Sequence, residues 1–96
     1  MKDRQKRLRA ILRRFPGNSC AQQRERLLVA MQETGNVTTF EATRVLDVYD
    51  PRPRVFELRH RFGYRITTAM RAEQTESGVL HRVGTYFLIS GKRSDA

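Results

Sequence analysis

Apolar positions recur at helical spacing from residue 3 to residue 62 and then change to a partial alternation, which places helices first and strands after them. Over residues 3–15, Leu8, Ile11, Leu12 and Phe15 line one face while Lys6, Arg7, Arg9, Arg13 and Arg14 lie off it. This predicts an amphipathic helix, stopped by Pro16 and Gly17. Ser19 and Gln22 stand at the spacing of a capping box and open a second helix over about 20–34. Its stripe is Cys20, Leu27, Leu28 and Met31, with Arg24 intruding and laying its stem along the surface. Gly35 and Asn36 end it, Thr38 and Glu41 repeat the capping spacing, and Val37 is placed to staple onto Ala42. The third helix, about 39–46, turns Ala42, Val45 and Leu46 inward and Phe40 outward, where the N-terminal helix is its expected cover.

A short connection containing Val48 leads to DPRPRVFELRHRFG, residues 50–63, the most sharply delimited stretch of the chain. Asp50 is an N-cap, Pro51 fits the first helical position, Pro53 is still in the first turn, and Gly63 supplies a left-handed stop. At about 100° per residue, Val55, Leu58 and Phe62 form the buried stripe of a helix over about 51–62. Pro53, Phe56, Glu57 and His60 take the opposite side. Arg52 and Arg59 edge that side on one flank and Arg54 and Arg61 on the other. Two compact helices joined by a tight turn, the second bearing the basic face, make a helix-turn-helix. A helix that is apolar behind and edged with arginines has the shape expected between the phosphate walls of a DNA major groove.

Tyr64–Met70 and Leu80–Ile89 are rich in β-branched and aromatic residues. They flank a polar segment whose Gly78 can take a positive φ, which predicts a β-hairpin. Gly84 inside the returning strand marks a bulge or a close backbone approach. The fold class is therefore α+β, mainly α. Residues 1–18 form a basic amphipathic helix and linker, 19–89 the folded domain, and 90–96 a flexible tail.

Charge narrows the partner. The 19 Lys and Arg against 10 Asp and Glu give +9, concentrated in residues 1–16 (+6) and 51–65 (+4), with −2 across 17–50. Two basic blocks favour a polyanion, nucleic acid before an acidic membrane surface or an acidic protein. Cys20 is the lone cysteine and reads as packing. His60 and His81 lie on separate elements without metal-ligand spacing, and no glycine-rich phosphate loop is present. Neither catalysis nor a cofactor nor a metal is expected. LRAILRRF is too charged for the apolar core of a signal peptide, so a soluble, cytoplasmic protein without membrane contact is the expectation. The N-terminal stripe can dock internally or pair with a second copy as a homodimer. Its basic face is either solvated or an arm adding phosphate contacts.

The pieces QRERLLVAM, VTTFEATRVLDV, RVFELR, GYRITT and TYFL, spanning residues 22–88, resemble the short winged helix-turn-helix domains of phage and prophage proteins. The resemblance implies a three-helix core with a C-terminal β-hairpin wing and binding of double-stranded DNA in a regulatory or accessory role. The basic N-terminal helix lies outside it. On the residues themselves, Arg52, Arg54, Arg59 and Arg61 are expected to meet phosphates and Phe56, Glu57 and His60 base edges. Glu57 can accept from cytosine N4 or hold a neighbouring arginine. Arg71 and Arg82 can reach an adjacent phosphate or minor groove, or serve as ordinary strand-surface charges. A protein-interaction module with an acidic partner is the alternative reading.

Overall fold

The computed structural model describes residues 2–74 and 77–92. In chain order the elements are α1 (Lys2–Arg14), α2 (Cys20–Thr34), β1 (Asn36–Thr38), α3 (Thr39–Arg44), α4 (Pro51–His60), β2 (Tyr64–Gln74) and β3 (Leu80–Lys92). The helices pack around one core that the hairpin closes from the side. None of the helices among the described residues is long and apolar enough to cross a membrane.

Capping chemistry sets most of the boundaries. Thr38 Oγ1 accepts from Glu41 N, and Glu41 Oε1 accepts from Thr38 N, so both halves of the box at the start of α3 are present. At α2 only half of the expected box forms. Ser19 Oγ accepts from Gln22 N, but the Gln22 amide oxygen accepts from Gly17 N instead of Ser19 N. Gln22 can lie there because Gly17 has no side chain; a Cβ at Gly17 would stand 2.9 Å from Gln22 Cγ. Gly35, at φ 88°, closes α2 in the left-handed conformation and donates to Met31 O.

Two helices are shorter than their patterns predict. Val45 and Leu46 both donate to Glu41 O, and Val48 reaches Ala42 O, so the last turn of α3 widens and α3 ends at Arg44. In α4, Arg61 and Phe62 both donate to Glu57 O, which ends the helix at His60 ahead of Gly63 at φ 77°. This loosened turn swings Phe62 off the stripe formed by Val55 and Leu58. Phe62 is 36% exposed, with the Arg24 guanidinium 5.1 Å from its ring centre.

The apolar stripe of α1 faces inward: Leu8 and Ile11 are fully buried in the same cluster as Leu27, Met31, Val37, Ala42, Leu46, Val48, Val55 and Leu58. The stripe is thus docked internally. Among charged residues, Arg26 is the largest departure from the sequence reading, because it is wholly buried in α2. Its guanidinium donates to the carbonyls of Phe15, Gly17 and Asp47, joining the α1–α2 linker to the turn between α3 and α4. Cys20, expected on the packed stripe, is exposed. Phe40 also stays exposed, so α1 does not cover it.

The strands form one antiparallel sheet in the order β1-β3-β2. β1 is an addition to the expected hairpin. Val37, besides stapling the start of α3, stands opposite Tyr86 as the middle residue of this third strand. The hairpin is also longer than its apolar pattern, since pairing continues from Met70 to Gln74 on one side. On the other side it reaches Lys92, which takes residues 90–92 out of the expected tail; residues 93–96 lie outside the described part. Gly84 proves to be a close approach. It pairs regularly with Met70, and a Cβ there would sit 3.3 Å from Thr39 Cγ2 and 3.4 Å from Met70 Sδ. The register irregularity falls at Tyr64–Ile66 instead.

Candidate nucleic-acid interface

α4 presents four longitudinal surfaces: a buried side, an outward ridge and two flanks. Pro51, Val55 and Leu58 are buried against the core. Pro53, Phe56 and His60 form the outward ridge, on which the Phe56 and His60 rings meet at 4.4 Å between centroids. Their four-residue spacing stacks them one turn apart on the same side of the helix.

The flank toward α2 is an ion-pair network. Glu57 accepts from Arg54 at 2.7 and 2.9 Å and from Arg24 of α2 at 2.8 Å. Those arginines hold its carboxyl below the usual glutamate range, the Arg24 hydrogen bond contributing most. Arg54 additionally donates to Cys20 Sγ. Glu57 is therefore turned away from the ridge where base-edge contact was expected, and it fulfils the arginine-holding alternative. The reason is angular. Glu57 lies off the centre of the exposed side, close enough to α2 for Arg24 to capture it. Arg54 is correspondingly held against α2, leaving Arg61 as the exposed cation of this flank.

The flank toward the hairpin carries Arg52 and Arg59. Arg52 is open, with 81% of its side chain exposed and a loose pairing to Asp50 at 3.2 Å. Its pairing with Arg52 keeps the Asp50 carboxyl low. Arg59 bridges to β2 by donating to Ile66 O and Thr68 Oγ1, both at 2.8 Å. It thereby ties the wing to α4, a structural task that its place in the sequence did not indicate.

Between this flank and the hairpin lies a groove of about 340 Å³ lined by Thr39, Arg52, Val55, Arg59, Thr68, Met70, Arg82, Gly84 and Tyr86. Arg52, Arg59 and Arg82 stand around it, and Arg82 is exposed with no hydrogen-bond or ion-pair partner among the described residues. Tyr86 lies at its floor, only 5% exposed. Burial pushes the phenol up, against the opposite pull of Arg52 and Arg59, so Tyr86 stays neutral and able to donate a hydrogen bond. Sequence reasoning missed Tyr86. In TYFL the apolar residues Tyr86, Phe87 and Leu88 are consecutive and do not single out Tyr86, and the groove above it arises only when the hairpin docks on α4. Arg71 stands opposite Val83 in the sheet, and its side chain, like that of His81, lies outside the described residues.

The arrangement suits an extended polyanion lying along α4, with a strand of phosphates in the cationic groove and planar groups meeting the ridge. Comparison with curated proteins and with solved structures gives no match. A family model described as a winged helix-turn-helix domain matches residues 22–91, from the first turn of α2 to the end of the hairpin and excluding α1. The chain belongs to the winged helix-turn-helix domain family.

Proposed function

We propose that the protein binds duplex DNA with α4 in the major groove and one phosphate strand lying between α4 and the wing. The observation that carries this reading is the groove lined by Arg52, Arg59 and Arg82 together with Tyr86, beside an exposed ridge of Phe56 and His60. Phosphate contacts position the protein and ridge contacts select sequence. Arg52, Arg59, Arg61 and Arg82 supply the charge. Phe56 offers an apolar surface to a thymine methyl, and His60 a polar edge beside it. Arg54 and Glu57 hold α4 at its angle on α2. The resemblance to phage and prophage domains supports a regulatory or accessory role on DNA, carried out in the cytoplasm without catalysis.

Selection from a random duplex pool tests this division of labour. The wild type enriches a short motif, and Phe56→Ala shifts the preferred base at one or two adjacent positions, with about 1–3 kcal/mol of discrimination lost there. Its overall affinity for unselected duplex changes little. If no motif is enriched, or if Phe56→Ala weakens every sequence equally, the assignment of the ridge to base reading fails.

A further inference from the structure

The basic residues of α1 divide by what they touch. Arg4 forms a bidentate pair with Glu41 and also reaches Asn36, Arg7 reaches Glu33 O, and Arg14 pairs with Glu33. These three dock the helix. Lys6, Arg9 and Arg13 are exposed and have no hydrogen-bond or ion-pair partner among the described residues. At about 100° per residue they fall into one row, opposite the side buried through Leu8 and Ile11. Like charges at i,i+3 and i,i+4 repel, and no ion pair among the described residues offsets that repulsion.

The row also lies on the far side of α2 from α4. Glu33 receives α1, whereas Arg24 receives α4 through Glu57. These two α2 residues are nine positions apart, which at about 100° per residue puts them on opposite sides of the helix. With packed helices about 8–10 Å apart, the axes of α1 and α4 are separated by about 16–20 Å, and the α1 row points outward from there.

We infer that the Lys6–Arg9–Arg13 row is a second DNA-backbone contact, so that one molecule bridges two duplex segments. The row spans about 10.5 Å of helix. One DNA strand presents about three phosphates over that length, one for each cation. Having no apolar or aromatic residue interleaved on it, the row suits phosphates rather than bases, and the second segment is held without sequence preference. This inference rests on the DNA reading of α4, which supplies the first duplex.

A capture assay with the full chain tests it. One duplex carrying the selected motif is immobilised, and a second, fluorescent, mixed-sequence duplex is supplied in solution. The wild type retains the second duplex. The triple variant Lys6→Gln, Arg9→Gln, Arg13→Gln, altered only at exposed positions, retains at least about tenfold less while its Kd for the immobilised duplex changes by less than about twofold. The salt slope of second-duplex capture should be near −2.7, as expected for three phosphates. Absence of binding to the first duplex would reject the DNA reading itself. Binding to the first without capture of the second would reject only the bridge. Undiminished capture by the triple variant, as a dimer bridging through two copies of α4 would give, overturns the inference. So does equal loss of both binding events, which would put α1 and α4 on one duplex, or displacement of the second duplex by polyglutamate at lower charge concentration than by free DNA.

Discussion

Single residues in this domain work chiefly as ties between elements, and Glu57 and Glu41 are the clearest cases. Glu57 joins α4 to α2 through Arg24, and that hydrogen bond, with the one from Arg54 on its own helix, holds its carboxyl below the usual glutamate range. Glu41 joins α3 to α1. Burial pushes its carboxyl up, but the hydrogen bonds from Arg4 and Thr38 outweigh that and the net shift is again downward. A carboxyl depressed in the folded state contributes stability that is fully present above its unfolded pKa, about 4.3, and is lost as pH falls through the folded value. Urea unfolding between pH 7 and pH 2.5 should therefore show stability falling once the pH drops below about 4.5. Glu57→Gln and Glu41→Gln should each be less stable at pH 7 and show a shallower acid decline. An unchanged acid profile in both variants would mean that these pairs do not couple to folding. Arg26 is a tie of a different kind, with its charge buried among three carbonyls. Burial lowers its pKa, yet a guanidinium remains charged, so the linkage between the α1–α2 linker and the helix-turn-helix corner persists at any physiological pH.

Among the elements, those with local signals were legible in the sequence and those made by distant pairing were not. The Thr38 box, the Asp50 cap followed by Pro51, and the left-handed Gly35, Gly63 and Gly78 were all readable from spacing, because each acts within one turn of chain. β1 was invisible: its three residues gain strand character only from β3, some fifty positions away in sequence. The full length of β2 and β3 was hidden for the same reason, since cross-strand pairing carries the hairpin past its apolar positions. Arg59 illustrates how element docking redefines a residue. Its spacing placed it on a helix flank, and docking of the wing brought Ile66 O and Thr68 within its reach. Arg59→Lys keeps the charge but cannot reproduce the two-pronged contact. Amide hydrogen exchange around residues 66–68 should accelerate about tenfold in that variant, the effect of losing roughly one charge-assisted hydrogen bond. Exchange at the wild-type rate would show that the wing holds its place without Arg59.

At the scale of the whole molecule, positive charge gathers on two surfaces with an acidic connection between them. The sequence showed both blocks, +6 in residues 1–16 and +4 in residues 51–65, without indicating that several of their arginines turn inward. Arg4 and Arg54 are held in ion pairs, while the wing groove, Arg61 on the other flank of α4 and the α1 row stay open. The central claim is that the groove between α4 and the wing holds a DNA phosphate strand. Its most direct test is the salt dependence of duplex affinity, measured by fluorescence anisotropy from about 50 to about 200 mM salt. With Arg52, Arg59, Arg61 and Arg82 engaged, the log–log slope should be near −3.6, and the double variant Arg52→Ala, Arg82→Ala should flatten it by about 1.8. A slope unchanged by the double variant, or the absence of duplex binding at about 50 mM salt, would contradict the account.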